Sequence, residues 1–164
     1  MNIKFQKHNN NLYNILLTLS RNIFFYTKIG LPDKFETRIY LMFIHFSIMM
    51  IIFKKKGLKF NQNDYDQLFN NIENNLRELG FGDVTVNKKM KDMNKQLYDI
   101  LLKLEINGTI SFKINEKLIL KYFKDLNNEK SGKYNDFERY FLNFYKFCFE
   151  LSPENIIRDA INFK

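Results

Sequence analysis

The stretch Ile39-Tyr40-Leu41-Met42-Phe43-Ile44-His45-Phe46-Ser47-Ile48-Met49-Met50-Ile51-Ile52-Phe53, followed by Lys54-Lys55-Lys56, decides the fold. It is apolar on every helical face, with His45 near its middle, and its 15 residues fall short of the ~20 that a bilayer core requires. A helix of this kind is enclosed by others, and three lysines at its end meet the negative pole of the helix dipole. The reading is a buried core helix, with a membrane-touching helix as the minority alternative.

Working outward, helical periodicity dominates. A first helix is expected from Leu12 to Ile29, closed by Gly30 and stopped by Pro32. Asp33 with Glu36 gives a D-x-x-E start to the second helix, which runs to Lys56 with Gly57 after it. Asp64 to Leu79 is the clearest amphipath, and Gly80 to Val84 is read as a loop before a fourth helix from Asn87 to Leu104. Beyond Asn107-Gly108 the alternation of Ile110, Phe112 and Ile114 suits a short strand. Helices over Asn115 to Leu126 and Asn135 to Leu151 follow, and Ser152-Pro153 caps a last short one. The expected fold class is all-α, a single bundle of about six or seven helices.

Composition narrows the function. The chain has 164 residues, 45% hydrophobic and 16% aromatic, with 18 Phe and no Trp, which excludes a disordered tail. The lone Cys148 excludes a disulfide framework or an all-cysteine zinc site, and with only His8 and His45 no metal or other cofactor is expected. Net charge is +8, which could serve an anionic partner. Ala occurs once, however, and the Lys, Asn, Ile, Phe and Tyr bias is what an AT-rich genome over-produces. Only five cations are arginine (Arg21, Arg38, Arg77, Arg139 and Arg158), so each Arg carries more information than a Lys. Met1 to Asn11 has no apolar core and no Arg- and Ser-rich character, so a cytoplasmic address is expected.

No catalytic constellation emerges, and the expectation is a non-enzyme. Arg38 and His45, seven apart, share a face with Met42 and Met49; this is read as a buried polar network rather than a proton-transfer pair. Cys148, between Phe147 and Phe149, reads as a core thiol. Gly80-Phe81-Gly82 fails the dinucleotide fingerprint, since Thr85 stands at the third glycine position. Three clusters remain: Ser20-Arg21, Asp33 to Arg38, and Leu76 to Asp83, each pairing an Arg with polar, acidic or glycine neighbours.

These clusters carry a resemblance. Leu19-Ser20-Arg21, Phe25-Tyr26, Gly30-Leu31-Pro32-Asp33, Thr37-Arg38 and His45 resemble the ubiquinol–cytochrome c chaperone family. So do Asn75-Leu76-Arg77-Glu78-Leu79-Gly80-Phe81-Gly82-Asp83-Val84-Thr85-Val86, Lys88-Lys89-Met90-Lys91 and Leu97-Tyr98. The similarity covers 12–104, the chaperone-like core, leaving 105–164 as a helical C-terminal part of the same domain. After Tyr98 the family usually has a small residue and an Arg, where this chain has Asp99-Ile100-Leu101.

The resemblance implies an assembly factor that binds newly made cytochrome b and assists its entry into ubiquinol–cytochrome c reductase. It also implies a small partner protein and contact with the ribosome. A bacterial-type member, cytoplasmic and peripheral to the inner membrane, is expected, with no DNA partner. Arg21, Asp33, Arg38, His45, Arg77 and Asp83 are expected to knit the helices into one polar-buttressed unit, and Arg77→Ala to be strongly destabilising if its pair is buried. Met42, Met49, Met90 and Met93 are candidate client-facing residues, with core filling as the competing role. Lys54, Lys55, Lys56, Lys88 and Lys89 are candidate contacts to an anionic surface. The rival readings are a basic ribosome- or RNA-binding protein and, well behind, an enzyme using His45 and Asp33.

Overall fold

A computed structural model describes residues 11–106, 112–127 and 132–164, and among them the secondary structure is entirely helical. The helix at the centre, α3 (Phe35–Lys55), has 21 residues, thirteen of them buried. At 1.5 Å per residue it is about 31 Å long, so length alone does not separate it from a membrane span. Burial does. Leu41 to Met49 are buried without interruption, because α1 (Asn11–Ser20), α5 (Asp83–Ile106) and α7 (Lys133–Glu150) pack around them. Phe43, Phe46, Ile48 and Met49 are fully enclosed.

The expected single helix over Leu12 to Ile29 is two helices. α1 stops at Ser20, and α2 (Ile23–Thr27) restarts after Arg21 and Asn22. Local polar groups outcompete the helix here. The Ser20 hydroxyl donates to the Leu17 carbonyl at 2.7 Å. The Asn22 side chain accepts the Phe24 N–H at 3.0 Å and caps the new helix. The Tyr26 hydroxyl then donates to the Ser20 carbonyl at 2.7 Å and locks the corner.

Asp33 does not cap α3. Lys34 holds the N-cap position with no side-chain bond, and Asp33 is engaged by Arg38 instead. Further on, Asn61 caps α4 (Gln62–Glu78) and Asn115 caps α6 (Glu116–Tyr122). α5 begins at Asp83 rather than Asn87, so the α4–α5 connection is only Leu79 to Gly82, with Gly80 at φ 93°. Phe112 and Ile114 lie outside regular structure, whereas Ile110 and Asn107-Gly108 fall outside the described residues. Phe112 stacks on Tyr145 at 4.5 Å instead of joining a strand. The chain closes with short turns around α8 (Ile156–Asp159), where Ser152 accepts from Asn155 rather than capping through its side chain.

One polar node fastens α6 to α5. Asp99 accepts from Lys121 at 2.7 Å and from the Tyr122 hydroxyl at 2.6 Å, and Lys103 pairs with its other oxygen at 2.7 Å. Partial burial opposes ionisation of Asp99, but these three donors together hold its carboxyl well below the usual range. Tyr122 also packs on Tyr40 of α3, ring centroids 5.0 Å apart.

Gly30, at φ 77°, makes the turn before α3, and a Cβ there would lie 3.2 Å from the Lys133 ammonium. Gly30→Ala is expected to destabilise by about 1–2 kcal/mol, the cost of a left-handed alanine. Urea denaturation of the two proteins checks it.

Candidate functional site

The first break in the helical pattern builds the most distinctive surface feature. Arg21, at the α1–α2 corner, and Arg38 and Met42, on α3, line one cavity of about 270 Å³ together with Tyr13, Leu17, Phe35, Ile39, Asn75 and Leu79. Its walls come from α1, α3 and α4, and they are mostly apolar. Asn75 donates to the Tyr13 hydroxyl at 3.3 Å. Burial raises the Tyr13 pKa, against the nearby positive charge of Arg21.

The arginines of the chain differ in their occupation. Arg38 donates through Nε and Nη2 to one oxygen of Asp33, at 2.9 and 2.6 Å. Arg77 binds Glu73 at 3.0 Å and also Asp83. Arg139 lies 3.6 Å from Asp136, and Arg158 2.9 Å from Asp159. Arg21 is exposed, and its backbone N–H is used to close α1. Among the described residues its guanidinium has no carboxylate partner.

Next to the cavity, the α4–α5 corner presents apolar side chains to solvent: Val84 is 85% exposed, Leu79 56% and Phe81 39%. The Lys89 ammonium sits 4.8 Å from the Phe81 ring centre. Arg77 and Asp83 brace this corner across Gly80 to Gly82. The pair lies on the surface, with side chains 42% and 81% exposed, so Arg77→Ala leaves no buried acid and the expected large loss of stability does not apply.

His45 belongs to neither surface feature. Its ring is fully buried among Phe25, Phe141 and Phe144. Nδ1–H donates to the Leu41 carbonyl at 2.7 Å, which leaves Nε2 to accept the Tyr140 hydroxyl proton at 2.9 Å. Burial lowers its pKa to about 4, so the ring is neutral. The six polar residues expected to form one unit are divided: Arg38, paired with Asp33, shares the cavity with Arg21, whereas Arg77 pairs with Asp83 at the α4–α5 corner and His45 lies in the aromatic core.

The methionines are mostly interior. Met42 and Met49 are closed off at 1% and 0% exposure and Met93 at 7%, while Met90 and Met50 are only partly buried. They fill the core, and among these described methionines only Met42 touches the cavity.

The lysines divide as well. Lys56 donates to the carbonyls of Phe149 and Leu151 at 2.6 and 2.8 Å, satisfying the end of α7. Lys55 lies over the Tyr145 ring at 5.3 Å, and Lys54 and Lys88 are exposed. Cys148 is enclosed, and burial pushes its thiol up to about 12. Sequence reasoning missed Leu79, Phe81 and Val84 as an exposed group. Their signal was three apolar residues within six positions of a glycine-marked corner, too short for any helical stripe.

With this geometry established, comparison with known proteins adds one finding. The family model described as Ubiquinol-cytochrome C chaperone matches residues 27–109. The chain belongs to that family. Membership in the ubiquinol–cytochrome C chaperones implies a role in assembling the cytochrome bc1 complex, and such proteins are typically not enzymes. The matched stretch contains α3, α4, the exposed corner and most of the cavity wall, while Arg21 precedes it. No curated protein and no solved structure matches the chain.

Two outcomes are expected of this chaperone family member. Arg77→Ala leaves the thermal midpoint unchanged within scatter, as read by circular dichroism. His45 makes stability pH-dependent: its pKa is about 4 in the fold against 6.5 for an imidazole free in water. Between those values the unfolded chain binds the proton and the folded chain does not. Stability is therefore full above about pH 6.5 and falls as pH drops towards 4, by about 3 kcal/mol in all. Urea midpoints across that window, in wild type and His45→Gln, check this, since the variant loses that part of the slope.

Proposed function

We propose that the protein binds unassembled cytochrome b and holds it until it enters ubiquinol–cytochrome c reductase. The observation that carries this reading is the apolar corner of Leu79, Phe81 and Val84 beside the cavity, inside the family-matched stretch. A client taken from a membrane offers apolar segments that need temporary cover, and a corner of exposed apolar side chains beside a cleft suits one. The protein acts from the cytoplasm at the surface of the inner membrane, where such a client is made. Lysines such as Lys54 and Lys88 favour an anionic lipid or ribosomal surface, with strong salt dependence. A small partner protein shares the work. Binding and release supply the function, with no catalytic step and no bound cofactor.

The test is genetic and spectroscopic. Deleting the gene is expected to abolish the cytochrome b signal in reduced-minus-oxidised spectra of membranes, with other oxidases intact. The wild-type gene restores it. A Leu79→Gln/Val84→Asp protein, altered only at exposed positions, is expected to fold normally yet restore little. Unchanged spectra in the deletion strain would overturn the reading and bring a ribosome- or RNA-binding role forward.

A further inference from the structure

Arginine is scarce here, and four of the five guanidiniums are neutralised by a carboxylate of the same chain. Arg21 alone, among the described residues, is not. Its backbone is also held by local structure. The Ser20 hydroxyl, the Asn22 cap and the Tyr26 hydroxyl bond together fix the α1–α2 corner on which it stands. A corner whose backbone is already ordered can offer its guanidinium to a ligand without the further cost of ordering the chain that carries it.

The cleft itself has two kinds of wall. Leu17, Phe35, Ile39 and Leu79 are apolar, and Arg38 is the second cation, its Nε and Nη2 already directed to Asp33. Among the described residues no carboxylate lines it. Two acids stand nearby among these residues, Asp33, which Arg38 holds, and Glu78, which acts electrostatically on Tyr13; neither forms an ion pair with Arg21. At about 270 Å³ the space is at the lower limit of ordinary ligand pockets and suits one or two side chains rather than a large cofactor. A planar guanidinium at an apolar cleft matches a carboxylate carried on an apolar chain, because the fork can take both oxygens while the walls take the hydrocarbon.

We infer that this cleft recognises an acidic side chain embedded in an apolar segment of the client, with Arg21 as the residue that pairs with the carboxylate. The inference rests on the client-binding reading above and specifies which segments are held. A membrane protein contains few such carboxylates, and each is costly to leave unpaired in an apolar setting before assembly. Arg21 supplies a partner for that interval, and release follows when the assembled complex offers another.

The probe is a pair of fluorescein-labelled peptides, Leu-Leu-Glu-Leu-Leu and Leu-Leu-Gln-Leu-Leu, followed by anisotropy against the full chain. The glutamate peptide is expected to bind about tenfold tighter than the glutamine peptide, the weight of one charge-assisted pair. Arg21→Gln removes that difference and leaves the glutamine peptide unaffected. Arg139→Gln, on α7, keeps the difference. Equal binding of both peptides by wild type, abolished by Leu79→Gln, would overturn the acid recognition and leave the client site standing. No binding of either peptide, with full genetic rescue by Leu79→Gln/Val84→Asp, would overturn both. Arg21-dependent binding of decanoate without peptide binding would make the occupant a free amphiphile and overturn the inference as stated.

Discussion

A helix that is apolar on all its faces has to be surrounded, and the enclosure of α3 is the constraint on which the rest of this structure depends. No two-layer arrangement covers Leu41 to Met49, so α1, α5 and α7 must approach from different sides. The short helices follow from that demand. α1 cannot continue straight and still let the chain return to begin α3, and the Ser20 to Tyr26 bonds make the bend at little cost. The same bend places Arg21 over the cleft between α1, α3 and α4.

Burying one histidine inside this enclosure is affordable only because both ring nitrogens are satisfied, one by the carbonyl a turn earlier and one from α7. The Tyr140 hydroxyl thereby selects the register of α7 against α3. Phe24, Phe25 and Phe163 then pack on the Tyr140 ring and gather α2 and the C-terminal turn onto the same core. Burial raises the Tyr140 pKa, so its proton stays in place to be donated.

Much of the fold was legible because the apolar run at Ile39 to Phe53 has no solution other than enclosure or membrane, and because Gly30, Gly57 and Gly80 mark real turns. The break after Ser20 was not, since Leu12, Leu16, Leu19 and Ile23 keep helical spacing across it and only hydrogen bonding interrupts the helix. Asp33 misled for a related reason: a D-x-x-E spacing resembles a cap, but Arg38 one turn on is a stronger partner than a backbone N–H. Of the candidate site, the resemblance singled out Arg21, Arg38 and the Leu76 to Asp83 segment, and the structure brings Arg21 and Arg38 to one cavity. That Met42 and Met49 face inward could not be read from a helix with no polar side. That Lys56 is consumed by the end of α7 depends on residues 93 and 95 positions away.

The node at Asp99 bears on how this chain relates to its family. It stands immediately after Tyr98, inside the matched stretch, and it receives Lys103 from its own helix and Lys121 and Tyr122 from α6. The stretch beyond the matched family region is therefore keyed to this α5 by a charge pattern, in the manner of a plug and socket. Asp99, Lys103, Lys121 and Tyr122 act as one unit, and the seating of α6 on α5 depends on all four together.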